Sequence, residues 1–162
     1  SSLMNFHNRL LPGKNFVKGE ERDTSPNTGH GTAVRGFLAA ESVNENQYTG
    51  VAPGVSILPG RIVNKGGSVP TSAMIGCVRW AADQGAKVIN VSMTGVQKSS
   101  SKEAAKYAES KGALVVWAAG NRNKTRSRWA DVGEILAVGG TDKYERRYRA
   151  SWRYGSTRGP FV

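Results

Sequence analysis

The chain has 162 residues, enough for one domain with a real core, and 38% hydrophobic residues with Gly 20 against Pro 6 describe a loop-rich globular protein, neither fibrous nor disordered. No apolar run approaches the roughly eighteen residues that cross a bilayer, and residues 1–11 show no basic segment followed by an apolar core, so no signal peptide is visible. The formal charge of +11 is uneven, residues 122–162 holding ten Lys or Arg against four Asp or Glu, and the single cysteine, Cys77, excludes an intrachain disulfide.

Residues 1–27 read as irregular surface loop, with Pro12-Gly13 and Pro26-Asn27 as turn signals around the short apolar pair Phe16-Val17. A helix is expected next. His30 sits between Gly29 and Gly31 and is followed by Val34, Phe37 and Leu38, the i, i+3, i+4 spacing of one helical face. The imidazole is thus expected at the helix start, with Thr32 capping the first turn and Arg35 forced to snorkel off the buried face. A histidine that merely closes a Gly-rich turn is the plainer alternative.

After a polar connection over 42–49, Gly50-Val51-Ala52-Pro53-Gly54 turns into an apolar strand at 55–58. Pro59 cannot donate to a ladder, so the strand is interrupted there and resumes over 61–63. A loop over 64–70 precedes a helix capped by Thr71 or Ser72, with Ala73, Met74, Cys77, Val78, Ala81 and Ala82 on its apolar face and Gly85 just past its end. Cys77 on that face reads as a buried structural thiol. Residues 87–92 and 113–118 read as strands buried on both faces of a parallel sheet. Between them Ser100-Ser101-Lys102-Glu103 forms a capping box for a helix that Gly112 closes. Residues 134–138 are a further strand.

Strands and helices alternating at these intervals give an α/β fold, three-layer α/β/α with a mostly parallel sheet. Ligands bind such sheets beyond the carboxyl ends of the strands. Those ends carry residues 64–69, 92–95 and 119–121, three polar, Gly-containing exits expected to share one rim. Asn121 follows an apolar strand and precedes no helical periodicity. It is either a turn asparagine or a side-chain amide held rigidly where an oxyanion would form.

Four segments, Gly29-His30-Gly31-Thr32-x-Val34-x-Gly36, Gly50-Val51-Ala52-Pro53-Gly54, residues 80–92 (Trp80-Ala81-Ala82-Asp83-Gln84-Gly85 into Val88-Ile89-Asn90-Val91-Ser92) and Val115-Val116-Trp117-Ala118-Ala119-Gly120-Asn121, together resemble the subtilisin-like serine proteases, or subtilases, in order and spacing. Val138-Gly139-Gly140-Thr141-Asp142 and Ser151-Trp152-Arg153-Tyr154-Gly155 fit the same family's later segments. The resemblance implies a serine endopeptidase acting through an acyl-enzyme. His30 matches the family's catalytic histidine and Asn121 its oxyanion-hole asparagine. Gly67-Ser68-Val69 and Ser92-Met93-Thr94-Gly95 match the two backbone segments that sandwich an extended substrate, and Ala118-Ala119-Gly120 the back wall of the pocket for the residue before the cut.

Two members of the family's triad are missing. Asp23-Thr24-Ser25 imitates the D-[ST]-G motif but lies seven residues from His30 without a strand before it, so Asp23 is rejected as the orienting carboxylate. Gly155-Ser156-Thr157 and Gly31-Thr32-Ala33 approach the serine motif G-T-S-x-A without matching it. The expectation is therefore a single partial peptidase domain over 1–162, truncated at both ends, inactive and marginally stable by itself. The resemblance also implies secretion, polypeptide substrates, a monomer, no cofactor, and no nucleic-acid or membrane partner. The loop 43–49 resembles a region that can hold structural calcium, but its pattern assigns none. Arg35 and Thr94 depart from the family pattern, and a catalytically inactive peptide-binding relative is the alternative function. The scattered basic residues read as a solvated face, with a polyanion-binding domain as a third reading.

Overall fold

Among the described residues the chain forms β1 (Lys14–Asn15), α1 (Gly29–Ala39), β2 (Gly60–Arg61), α2 (Thr71–Asp83), β3 (Val88–Val91), α3 (Ser99–Ser110), β4 (Leu114–Ala118), β5 (Thr125–Arg126), β6 (Ile135–Val138) and β7 (Arg153–Tyr154). The computed structural model describes residues 6, 8–25, 29–42, 48–93, 99–120 and 133–146, with the backbone alone at 125–126 and 153–154. Two compact units are present, Ser1–Cys77 and Val78–Val162, and the division falls within α2. Among the described residues every strand pair is parallel: β1 with β2, β5 with β7, and a three-stranded sheet in the order β3-β4-β6.

In the first unit the segment expected to be surface loop is partly strand. Leu11 N–H donates to Ile57 O (2.9 Å), Lys14 N–H to Pro59 O (3.1 Å) and Phe16 N–H to Arg61 O (2.9 Å). Pro59 lacks a donor yet accepts, so it interrupts the expected 55–58 strand without ending the pairing. Asn15 and Val17 are buried here. Asn15 stays buried because its side chain is satisfied: Nδ2 donates to Glu20 O (2.5 Å) and Asp23 O (2.7 Å), and Oδ1 accepts from Val17 N–H (2.9 Å).

Helix α1 starts at Gly29, as the spacing around His30 predicts, but its buried residues are Gly36 and Ala39. Phe37 is 61% exposed and meets Tyr48 edge-on, ring centroids 5.6 Å apart. Small residues allow close approach on the buried side, whereas Phe37 lies off that stripe. The last carbonyls of α1 are taken up by the 50–52 segment, where Gly50 N–H donates to Ala40 O (2.8 Å), Val51 N–H to Phe37 O (2.9 Å) and Ala52 N–H to Leu38 O (2.8 Å). Arg9 adds a cation at the same end, pairing with Glu41 at 2.8 Å. Thr32 falls one turn too late to cap; its Oγ1 accepts from Arg35 Nη2 at 3.2 Å, so the arginine folds along its own helix.

In the second unit α3 packs on β4 with Ser101, Ala104, Ala105 and Ala108 buried at helical spacing. α3 begins at Ser99 and α2 at Thr71, so Ser100 and Thr71 are helical rather than caps. Gly85 and Gly112 do close their helices, with φ of 82° and 76°. Ala86 N–H reaches Ala81 O (3.0 Å) and Ala113 N–H reaches Ala108 O (2.9 Å), the six-to-one bonds of Schellman ends. The strands β3 and β4 are not buried on both faces. Ile89, Val91, Val115 and Trp117 are buried, while their alternates Val88 and Leu114, register partners on the other face, are 61% and 46% exposed. The pleat sends alternate side chains to opposite faces, and among the described residues one face is buried while the other is only partly covered, with Val116 and Ala118 half-buried.

A Cβ at Gly50 would lie 2.6 Å from Ala39 N and 2.8 Å from Ala40 N, whereas one at Gly54 meets nothing within 4 Å. Backbone atoms locked in a helix end cannot retreat. Gly50→Ala is therefore expected to lower unfolding free energy by about 2 kcal/mol and Gly54→Ala to leave it within roughly 0.5 kcal/mol. Urea denaturation of the two variants checks the difference.

Candidate active site

His30 lies in the first turn of α1 and is exposed. A Cβ added at Gly29 or Gly31 would meet nothing within 4 Å, so the glycines leave open space on either side of the imidazole rather than serving internal packing. A substrate chain could pass close to the ring there.

The 64–69 loop is built around Asn64. Its backbone N–H donates to Ser68 O (2.9 Å), its carbonyl accepts from Gly67 N–H (2.9 Å), and its Oδ1 accepts from Ser68 N–H (2.9 Å). Gly67 takes a φ of 77°, which a glycine adopts without steric penalty. Gly67 and Ser68 are exposed, with Val69 half-buried beside them.

One arginine ties this loop to the segment that approaches α1. Arg61 Nη2 pairs with Glu20 Oε2 (2.6 Å), its Nη1 pairs with Asp23 Oδ2 (2.7 Å) and also donates to Asp23 O (3.1 Å) and Ser25 O (3.3 Å). The other oxygen of Glu20 accepts from Lys65 N–H at 3.2 Å. The Arg61 side chain is 7% exposed, so its charge depends on these acceptors rather than on water. Asp23 is thus occupied structurally. Ser25 donates both its hydroxyl and its backbone N–H to Asp23 Oδ1, and with Arg61 these hold the Asp23 carboxyl down from 3.8 to about 2. The carboxylate faces Arg61 and Ser25 rather than the role that its D-T-S sequence imitates.

In the second unit the carboxyl ends of β3, β4 and β6 line an open cavity of about 310 Å³. Asn90, Ser92, Val116, Trp117, Ala118, Ala119 and Gly120 line it from β3, β4 and their exits, and Val138, Gly139 and Gly140 from β6 and its exit. None of these carries a charge. The sheet therefore brings Ser92, Ala119 and Gly120 together, three of the residues expected at a binding cleft. Gly120 has a φ of 102°, a backbone conformation that favours glycine, directly before Asn121 in the sequence. Asn121 itself, with Thr94 and Gly95, lies outside the described residues, as do 43–47 of the loop considered for calcium and the Gly155-Ser156-Thr157 segment. Among the described residues no group of three or more His, Cys, Asp or Glu side chains could hold a metal ion.

Met93 shows a contact that sequence reasoning did not anticipate. Trp117 Nε1 donates to Met93 O at 2.9 Å, from a ring that is 1% exposed. A tryptophan at the core position of a strand signals burial, but the direction of its N–H is set by the neighbouring strand. Cys77 is half-buried, and desolvation pushes its thiol up to about 12. It faces Gly60, where an added Cβ would collide with Sγ, so its role is packing.

A parallel α/β sheet with an uncharged cavity at its carboxyl rim carries that cavity where open α/β sheets bind their ligands. Comparison with known proteins narrows this: the profile of the Subtilase family matches residues 12–161, and the chain belongs to that family. It is 38% identical over 152 residues to thermitase of Thermoactinomyces vulgaris, covering 91% of this chain and 53% of that protein. To subtilisin DY of Bacillus licheniformis it is 37% identical over 145 residues, covering 86% and 52%. The solved structure of sphericase superposes with a TM-score of 0.79 at 25% identity, covering 94% of this chain and 55% of that one. The fold is accordingly the subtilisin-like α/β fold. The chain spans about half the length of thermitase and of subtilisin DY.

The depressed Asp23 carboxyl makes a pH prediction. A group whose folded pKa lies below its unfolded value stabilises the fold above the unfolded pKa, here 3.8, and loses that contribution as pH falls through about 2. Asp23→Asn should therefore destabilise the protein at about pH 5 and do so much less at about pH 2.5, read from urea midpoints at both. A gap between variant and parent that does not change with pH contradicts it.

Proposed function

We propose that this protein is a serine endopeptidase that hydrolyses peptide bonds through an acyl-enzyme, with His30 as general base and acid and the Asn121 carboxamide as oxyanion donor. The observation that supports it most is the uncharged cavity at the carboxyl rim of β3, β4 and β6, whose wall residues Ala119 and Gly120 run directly into Asn121. A small-residue wall of this kind accepts a large apolar side chain, and β4 ends at Ala118, three residues before Asn121, so the carboxamide follows directly on a strand exit. Preorganised donors cost no reorganisation as charge develops on the scissile carbonyl.

In this reading Gly67-Ser68-Val69 and Ser92-Met93-Thr94-Gly95 each offer backbone groups to an extended substrate, which is recognised first through its main chain. His30 takes the proton of a serine hydroxyl as the hydroxyl attacks and returns it to the leaving amine. The serine and the carboxylate that orients His30 are assigned to parts of the protein beyond these 162 residues, which fits a chain spanning 53% of thermitase. An extracellular site of action, a monomer, and polypeptide substrates without cofactor, nucleic acid or membrane partner belong to the same reading.

Full-length protein should cleave peptide anilides with an apolar residue before the cut. His30→Ala is expected to abolish measurable turnover, and Asn121→Ala to lower kcat by roughly a hundredfold to a thousandfold, the magnitude already known for this donor in this family. The 162-residue chain alone should show no turnover. Peptide binding by the full-length protein without hydrolysis would favour an inactive relative, and His30-dependent turnover by the short chain would overturn the assignment of the missing groups.

A further inference from the structure

The β3–β4 ladder has its last register pair at Val91 and Trp117, whereas β4 stays with β6 one step further, through Ala118 and Val138 and the bond from Ala119 N–H to Val138 O (2.8 Å). Residues 92 and 93 therefore leave the sheet at the edge of the cavity, with Ser92 in its wall. Where the ladder stops, the indole of Trp117 takes over, Nε1 donating to Met93 O at 2.9 Å. One residue earlier, Asn90 Nδ2 donates to Ser92 Oγ at 2.8 Å.

We propose that Trp117 is a positioning residue that fixes the exit of β3 against β4, and so sets the orientation in which Ser92 and Met93 meet the main chain of an extended substrate. The inference rests on the peptidase reading for the identity of the ligand, but the anchoring itself does not. The ring is fully buried, and a buried indole N–H normally finds an acceptor. Here that acceptor is a main-chain carbonyl of the exit segment rather than a core side chain. Committing it fixes the rotation of the segment about its own axis, and rotation decides which backbone groups a substrate strand meets. Trp117 thus couples the packed side of the sheet to the geometry of its rim.

The test uses full-length protein with Trp117→Phe and with β-(3-benzothienyl)alanine at 117, an isostere whose sulfur replaces the N–H donor. Two readouts are taken: kcat and KM for an extended peptide anilide and for a single-residue ester, and hydrogen exchange of amides 92 and 93. The isostere should raise KM for the extended peptide roughly tenfold, with kcat and the ester little changed, and both variants should speed exchange at 92 and 93 by about the same factor, leaving the β4–β6 ladder protected. The isostere keeps the packing, so it separates the lost bond from a lost fold. An isostere with parental exchange at 92 and 93 overturns the anchoring. One that loses ester and extended-peptide turnover equally overturns the positioning role. Should the parent hydrolyse neither substrate, the peptidase reading fails, while the exchange measurement still decides whether Trp117 holds the exit.

Discussion

Parallel pairing in register is the constraint from which the rest follows. Because β3, β4 and β6 run the same way, their carboxyl ends share one rim, and the residues after them converge without any specific attraction between loops. The register, Val91 opposite Trp117 and Ala118 opposite Val138, decides which residues reach that rim. It delivers Ser92, Ala119, Gly120, Gly139 and Gly140 to one cavity. A slip of one residue would turn every side chain of a strand to the other face and bury Leu114 or Asn90 in place of Val115 or Ile89.

The first unit uses a different device for the same purpose. Its parallel pair is only two residues long, too little to hold a site in place, and polar side chains make up the difference. Asn15 closes the turn that follows β1, Arg61 gathers Glu20, Asp23 and Ser25, and Glu20 reaches the 64–69 loop through Lys65. The opposite end of α1 is held by Gly50 and Arg9. Thus the helix bearing His30 is constrained at its far end by backbone bonds, and the segment approaching it by a largely buried cation. Surface ion pairs contribute little, but a guanidinium with several acceptors and little water is a geometric clamp.

The sequence made some of this legible and hid the rest for physical reasons. The glycine after each of α2 and α3 could be read, because only a left-handed residue closes a Schellman end. His30 at a helix start could be read from its flanking glycines and the periodicity behind it. Phe37 could not: spacing marks a face but not what lies opposite it, and the small residues Gly36 and Ala39 took the buried side. The pairing of residues 10–16 was hidden by Pro12-Gly13, whose turn signal is real but local, while the ladder runs past it. Strands β3 and β4 looked buried on both faces because apolar runs carry no information about how many layers cover them. Trp117 read as core, which it is, but the target of its N–H is a property of the neighbouring strand.

The proposed peptidase chemistry requires an imidazole at the entrance of α1 and a carboxamide one residue beyond Gly120 to act on the same carbonyl. A crystal structure of the full-length protein with a peptide aldehyde bound would test it most directly. The account predicts that the oxygen of the former aldehyde accepts a hydrogen bond from Asn121 Nδ2, with a ring nitrogen of His30 within hydrogen-bond reach of the same tetrahedral centre. An aldehyde seated elsewhere, or a tetrahedral centre that touches only one of the two side chains, would contradict it.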